Sequence, residues 1–172
     1  WGGTMSKLIR FYVYLNALSG TLPTQYSRWP ALMRMYVRSN QLSGTLPTEW
    51  SQFTSVTHIS ISANLLSGTL PTQWAQLTTA SQFYLYDNRL TGPLPTHWAR
   101  LPVSVIHAYD NRLCGTLPTQ WATNMALSNL QLRRNLLSGT LPTEFTAFTR
   151  LRLLDVRENQ LRGTLPTVYS AL

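Results

Sequence analysis

Cysteine is nearly absent from this sequence. Cys114 is the only cysteine among 172 residues, so a disulfide bond within the chain is excluded. It occupies a position that Ser, Thr or Arg fills in the other copies of the repeat described below, which predicts a small, partly exposed side chain. Because no base is expected beside it, a role as a catalytic nucleophile is not favoured.

Acidic residues and lysine are also scarce. The chain has 13 Arg, one Lys and six Asp or Glu, for a formal net charge of +8. An excess of basic over acidic residues favours a nucleic acid, an acidic glycan or an anionic surface as a partner. The alternative is that the charge only keeps the protein soluble.

Long apolar runs and targeting signals are missing as well. No stretch approaches the ~20 apolar residues that cross a bilayer, and no signal peptide or lipid-anchor motif occurs. Trp1 stands about where an aromatic of the repeat belongs, Leu172 follows the last such aromatic, and neither end has a polar cap. We therefore expect a piece of a longer protein, in which any membrane attachment comes through segments outside this chain.

The residue sets that catalysis or metal binding requires do not emerge. His58 and His107 lie two repeats apart, about 10 Å by strand spacing, which is too far to share a metal ion. Asp87 and Asp110 occupy equivalent positions in adjacent repeats, but each is followed by Asn-Arg, so we expect that arginine to compensate the charge. No Gly-rich phosphate loop or Ser/His/Asp set occurs. We predict no enzymatic activity, no metal and no small-molecule cofactor.

What the sequence has in abundance is one repeated phrase. LSGTLPTEW at 42–50 occurs seven times with small changes, and the prolines at its centre follow one another by 23 or 24 residues. These prolines are Pro23, Pro47, Pro71, Pro95, Pro118, Pro142 and Pro166. A fixed period in this range indicates a solenoid. We predict that residues 1–172 form a single solenoid of about seven repeats.

Each repeat predicts one short strand and the turn that follows it. Apolar residues stand eight, five and three residues before an asparagine, and the last two have the period of a strand with one buried face. The asparagines should form a ladder that satisfies backbone groups of the neighbouring coil. They are Asn16, Asn40, Asn64, Asn88, Asn111, Asn135 and Asn159. The one-residue deletion between Pro95 and Pro118 should fall in the outer loop and leave Ile106 pointing inward.

An aromatic residue follows each proline by three positions. The set is Tyr26, Trp50, Trp74, Trp98, Trp121, Phe145 and Tyr169. Such a stripe resembles a sugar-binding surface, but the rings repeat in step with the leucines. We therefore predict a buried aromatic spine.

The pattern LxxLxLxxNxLSGxLPxxW resembles the 24-residue leucine-rich repeat common in plant receptors. Its TLP-T-[QE]-W form is more similar to the promastigote-surface-antigen-like proteins of kinetoplastid protozoa. The resemblance implies a right-handed solenoid with one parallel sheet on the concave face and loops, short second strands and 3₁₀ turns on the convex side. It also implies an extracellular or cell-surface recognition protein without catalysis.

Strand residues between the buried positions must face the opposite side of the sheet. We call this surface the variable face; it consists of the residues six, four and two positions before each ladder asparagine. It is rich in Tyr and Arg, which are enriched at protein interfaces. The alternative is that the tyrosines only pack on cross-strand neighbours.

We predict that the variable face binds a protein partner. The central patch should combine adjacent coils, with Tyr84 beside His107 and Tyr86 beside Tyr109. A second group at one end is Tyr12, Tyr14, Tyr36 and Arg38. Between the two groups, Ser60 and Ser62 are expected to leave a shallow gap. The other functions that fit are binding of a polyanion, with an acidic glycan favoured over nucleic acid, and a purely architectural spacer.

Overall fold

The structure is a computed structural model that describes residues 5–171. The expected alignment of Trp1 with the spine lies outside the described residues. Each repeat forms one coil with a short strand, a second strand and a five-residue 3₁₀ helix. Successive coils stack so that equivalent strands pair in parallel, and the predicted solenoid is confirmed.

The first sheet comes from the strand predicted in each repeat. The strands of both sheets are numbered together in chain order, so the first sheet contains the odd-numbered strands. These are β1 (Arg10–Tyr12), β3 (Arg34–Tyr36), β5 (His58–Ser60), β7 (Gln82–Tyr84), β9 (Val105–His107), β11 (Asn129–Gln131) and β13 (Leu153–Asp155). The middle residue is apolar and fully buried in β3, β5 and β7. Pairing continues past the strand ends, since the Val37 N–H donates to the Ser60 carbonyl at 2.9 Å. The residue two positions before each asparagine therefore still belongs to this surface.

The second sheet comes from the segment after each asparagine. Its strands are β2 (Ser19–Thr21), β4 (Gln41–Thr45), β6 (Leu65–Thr69), β8 (Arg89–Pro93), β10 (Arg112–Thr116), β12 (Leu136–Gly139) and β14 (Gln160–Leu161). Short second strands were expected, but their union into a continuous seven-stranded sheet was not. Cys114 lies in β10 and is exposed.

A 3₁₀ helix follows each Leu-Pro. The helices span Thr24–Arg28, Thr48–Gln52, Thr72–Gln76, Thr96–Arg100, Thr119–Thr123, Thr143–Ala147 and Thr167–Ala171. The preceding proline is extended, with φ near −68° and ψ near 124° at Pro71, which suits a residue that fixes φ and carries no N–H. Within the described part of the chain, no helix is long and apolar enough to cross a membrane.

Five aromatic residues of the spine, from Trp50 to Phe145, lie in the core as predicted, whereas Tyr26 and Tyr169 in the end coils are only partly buried. Trp50, Trp74 and Trp98 are at most 1% exposed, and their rings stack nearly parallel with centroids 6.1 and 6.2 Å apart. The spine also forms hydrogen bonds, which the spacing of the aromatic residues does not predict. The Trp74 Nε1–H donates to the Pro47 carbonyl of the preceding coil at 2.9 Å, and Trp50, Trp98 and Trp121 repeat this contact.

The asparagine side chains bond to backbone groups at the turn after each strand. Asn64 donates from Nδ2 to the carbonyls of Val37, Ile61 and Ser62. Its Oδ1 accepts the Leu42 N–H at 3.0 Å. Val37 and Leu42 belong to the preceding coil. The six asparagines from Asn40 to Asn159 therefore each join two coils, whereas the Asn16 side chain donates to the Val13 and Tyr14 carbonyls of its own coil.

The residue before each ladder asparagine has a left-handed backbone, with φ between 52° and 58°. These residues are Leu15, Ser39, Ala63, Asp87, Asp110, Arg134 and Glu158. Few non-glycine residues adopt this conformation, and Asp and Asn tolerate it best. The turn was not predicted, because the residue types at this position share no such preference.

The short repeat keeps its register. Ile106 is 2% exposed and lies opposite Phe83 of β7, while Val103 and Ala108 are fully buried. The 3₁₀ helix Thr96–Arg100 is retained. The missing residue is therefore absorbed in the outer loop, as predicted.

Candidate binding surface

The central patch has the predicted neighbours. Tyr84 in β7 lies opposite His107 in β9, and their rings meet edge to face with centroids 5.2 Å apart. Tyr86 and Tyr109 stack at 4.5 Å with an angle of 9° between the planes. The adjacency of these four residues is confirmed.

The next coil extends this patch with polar contacts. The Arg133 guanidinium lies over the Tyr109 ring, 4.6 Å from its centroid. The Gln131 amide nitrogen lies 3.1 Å from His107 Nε2. Tyr84 donates its hydroxyl to Gln82 Oε1 at 2.8 Å. The rings are thus held in place by neighbours before any partner arrives.

Burial shifts the pKa values of Tyr84, His107 and Tyr109 in the direction that disfavours their charged forms. It lowers the pKa of His107, with a hydrogen bond to Asn129 acting in the opposite direction. A neutral His107 can accept the Gln131 amide hydrogen at Nε2. Burial also raises the pKa of Tyr109, as do Tyr86 and Asp110, against the opposing effect of Arg133. The patch therefore offers apolar ring faces together with hydroxyl groups.

The second tyrosine group is also assembled. The Tyr12 and Tyr36 rings stack with centroids 4.7 Å apart, and the Arg38 guanidinium lies 4.3 Å from the Tyr14 centroid. Tyr12 and Tyr14 are more than a third exposed. Coils 1 and 2 thus also combine a stacked tyrosine pair with an arginine over a tyrosine ring, although here the arginine covers Tyr14, which lies outside the stacked pair.

The expected gap between the two groups is wrong. Ser60 and Ser62 are 4% and 0% exposed, so water does not reach a groove above them. Burial raises the pKa of Tyr84, and Tyr36 adds to the shift. In the strand pairing Ser60 lies between Tyr36 and Tyr84, and the burial of both serines indicates that larger neighbouring side chains close the gap. The Ser62 hydroxyl is left without a hydrogen-bond partner.

The expected partners of the aspartates were also wrong. Asp110 forms salt bridges with Arg133 at 3.5 Å and Arg134 at 3.6 Å, both in the next coil, and not with Arg112. Asp87 forms no salt bridge among the described residues. The physical reason is that Arg89 and Arg112 begin β8 and β10 of the second sheet, beyond the turn at the asparagine.

The far end of the variable face carries further ion pairs. Arg157 binds Asp155 through two contacts of 2.9 Å, which lower the pKa of that carboxyl group. Arg134 binds Glu158 at 2.9 Å. In the part of the chain that the structure describes, no group of three or more His, Cys, Asp or Glu is arranged to hold a metal ion.

Solved structures share this fold. No protein-family model and no curated protein matches the chain. The leucine-rich-repeat ectodomain of the plant membrane receptor kinase GASSHO1/SCHENGEN3 from Arabidopsis thaliana, in complex with CASPARIAN STRIP INTEGRITY FACTOR 2, covers 91% of this chain with a TM-score of 0.88 and 30% identity. The ectodomain of the Arabidopsis receptor kinase HAESA, in complex with an IDA peptide hormone ligand, covers 97% with a TM-score of 0.92 and 26% identity.

The chain spans 19% and 28% of the lengths of those two structures. A plant ice-binding protein matches over 95% of this chain and 68% of its own, with a TM-score of 0.68 and 22% identity. That likeness shows the fold alone, and one fold hosts unrelated functions. The fold of this chain is therefore a leucine-rich-repeat solenoid, while its function must be argued from its own side chains.

Proposed function

We propose that this chain is a non-enzymatic recognition module that binds a protein or peptide partner through its variable face, outside the cell or at its surface. The observation that carries the proposal is the stacked Tyr86–Tyr109 pair capped by Arg133. Rings and guanidinium groups combine apolar area with hydrogen-bonding capacity, and a few such residues carry most of the energy of an interface. Because their neighbours hold them, they lose little entropy on binding.

The similar receptors support a peptide or protein as the partner. HAESA was solved with an IDA peptide hormone ligand, and GASSHO1/SCHENGEN3 with CASPARIAN STRIP INTEGRITY FACTOR 2. Their names also support an extracellular or cell-surface location for this chain. The closer kinship with kinetoplastid surface antigens stays a prediction.

The central patch is tested with peptides selected from a random dodecapeptide library displayed on phage. The Tyr86→Ala/Tyr109→Ala variant should bind the selected peptides at least ~10-fold more weakly, or ~1.4 kcal/mol. The control is Gln73→Ala/Gln120→Ala, which changes exposed residues of two 3₁₀ helices and should bind like the wild type. Circular dichroism checks that all three proteins are folded. Wild-type affinity in the folded tyrosine variant would place the site elsewhere.

The two rival functions give different results. A polyanion such as a sulfated glycan or a nucleic acid should lose affinity steeply as salt rises, because binding releases counterions. A tyrosine-centred peptide interface should weaken only mildly. For an architectural spacer, substitutions on the variable face should have no effect on binding by any ligand.

A further inference from the structure

The arginines of the variable face differ in whether they have acidic partners. Arg133 and Arg157 lie in coils 6 and 7, and each forms a salt bridge. Arg10, Arg34 and Arg38 lie in coils 1 and 2 and form none among residues 5–171. The reason is in the sequence: residues 1–86 contain one acidic residue, Glu49. It lies in the 3₁₀ helix Thr48–Gln52, away from the first sheet.

These cationic groups also stand side by side. Arg10 lies opposite Arg34 in the pairing of β1 with β3, and Arg34 lies opposite His58 in the pairing of β3 with β5. Paired strands are ~4.8 Å apart, and like charges directly opposite each other destabilise a sheet. The positive charge of Arg34 also acts on coil 3: the pKa of His58 is lowered mainly by burial and to a smaller extent by Arg34. A bound anion would offset this repulsion.

The tyrosines of the same coils hold two of these arginines. Side-chain hydrogen bonding with Tyr12 raises the pKa of the Arg34 guanidinium, while the Arg38 guanidinium lies over the Tyr14 ring, 4.3 Å from its centroid. A guanidinium that is already positioned loses less freedom when it binds a carboxylate in its forked geometry. Coils 1 to 3 therefore present a prearranged and uncompensated cationic surface.

We propose that Arg10, Arg34 and Arg38 bind a carboxylate-rich segment of the peptide partner. This proposal rests on the proposed function and specifies that one segment of the peptide partner is acidic. Coils 1 and 3 are ~10 Å apart, which matches about three or four residues of an extended peptide at ~3.3 Å each. A long polyanion fits less well, since Arg133 and Arg157, farther along the same face, are already paired with Asp110 and Asp155.

Acetylated tetraglutamate is the probe, and the NMR titration of the His58 ring is the readout. A carboxylate bound beside His58 stabilises the imidazolium form, so saturating peptide should raise the pKa of His58 and leave that of His107 unchanged. In Arg34→Gln/Arg38→Gln, tetraglutamate should bind at least tenfold more weakly. The control Arg89→Gln/Arg112→Gln removes the same charge from the second sheet and should leave binding unchanged. The charge-reversed Arg34→Glu/Arg38→Glu variant should instead bind tetralysine.

Each other outcome overturns the proposal. Tetraglutamate that leaves the pKa of His58 unchanged shows that no acidic segment binds there. Equal weakening in the two glutamine variants shows an effect of net charge alone. A shift produced by a heparin hexasaccharide but not by tetraglutamate identifies a polyanion instead. None of these results bears on the selected peptides and the Tyr86→Ala/Tyr109→Ala variant, so failure here and failure of the proposed function are distinguishable.

Discussion

Asn88 makes four hydrogen bonds, and two of them cross to the preceding coil. Its Nδ2 donates to the carbonyls of Ile61, Leu85 and Tyr86, and its Oδ1 accepts the Leu66 N–H at 3.0 Å. Backbone groups in this turn have few other partners within reach, so the side chain supplies what a regular strand would otherwise provide. At the scale of single residues, the fold depends on side chains that satisfy the backbone of two coils.

Asn88→Ala should therefore destabilise the solenoid by about 1–3 kcal/mol, because it leaves buried backbone groups unpaired. Urea unfolding followed by tryptophan fluorescence measures the loss. Arg89→Ala, at the exposed neighbouring position, is the matched control and should change stability little. Equal midpoints for the two variants would contradict the ladder.

The histidines give the stability a pH dependence. Burial lowers the pKa of both His58 and His107 in the folded protein. On acidification these histidines are therefore protonated in the unfolded chain first, near the ordinary histidine pKa of ~6.5. The free energy of unfolding should fall as the pH drops below ~6.5. Asp155 has a lowered pKa, so its contribution is lost only at lower pH, below its ordinary value of 3.8.

The check is chemical denaturation at about pH 7.5 and about pH 5.5. His58→Gln/His107→Gln should lose less stability between the two conditions than the wild type. The same loss in both proteins would assign the pH dependence to other groups.

Among the elements, the seven 3₁₀ helices are tied together by their aromatic residues. Each spine tryptophan packs in the core and bonds the proline carbonyl that opens the preceding helix, as Trp98 does to Pro71 at 2.9 Å. Tyr169 makes the equivalent contact to Pro142 through its hydroxyl group. The spine thus combines apolar burial with a hydrogen-bond ladder that needs a donor at the ring edge.

Trp98→Ala should cost about 3–5 kcal/mol through the cavity it creates. Trp98→Phe keeps most of the ring and should cost less, although still at least the ~1 kcal/mol of the lost hydrogen bond. Urea denaturation measures both. If the phenylalanine variant matches the wild type, the Nε1–H contributes nothing and the spine is only apolar.

The second sheet contains a matched pair of glycines. Gly92 and Gly115 both have φ near 80°, so an alanine at either site bears similar backbone strain of order 1 kcal/mol. A Cβ at position 92 would meet Thr69 Cγ2 at 2.7 Å, whereas one at 115 would meet Pro93 Cβ at an ordinary 3.5 Å. The two sites therefore differ only in the neighbour from the preceding coil.

Gly92→Ala should lower the melting temperature more than Gly115→Ala, because overpacking adds roughly 1–3 kcal/mol to the shared strain. Thr69→Ser removes the clashing methyl group, and in that background the difference between the two alanine variants should shrink. Equal melting temperatures without Thr69→Ser would show that the contact relaxes at no cost.

For the whole molecule, the period of the repeat accounts for most of the fold. Spacing alone predicted the first sheet, the asparagine ladder, the buried spine and the inward position of Ile106, because each depends on residue type at a fixed place in the coil. The neighbours Tyr84–His107 and Tyr86–Tyr109 followed from the same stacking. Their role in binding stays a prediction.

What spacing did not predict depends on how side chains of adjacent coils arrange themselves. The burial of Ser62 depends on the larger side chains of the adjacent coils. The salt bridges of Asp110 depend on the rotamers of Arg133 and Arg134 in the next coil. The left-handed turn before each asparagine occurs at Leu, Arg and Glu as well as Asp, so residue type gave no signal. The continuous second sheet forms only because the second strands of all seven coils are in register, which the sequence of a single repeat does not determine.

The central claim, that the variable face is the binding surface, is tested most directly by mapping one bound peptide on the chain. A dodecapeptide selected from the phage library is titrated into isotope-labelled protein, and the shift of every assigned backbone amide resonance is measured. The largest shifts should fall within 82–87 and 105–110, which contain the tyrosines of the central patch. Shifts concentrated instead in the 3₁₀ helices or in the second sheet would contradict the claim.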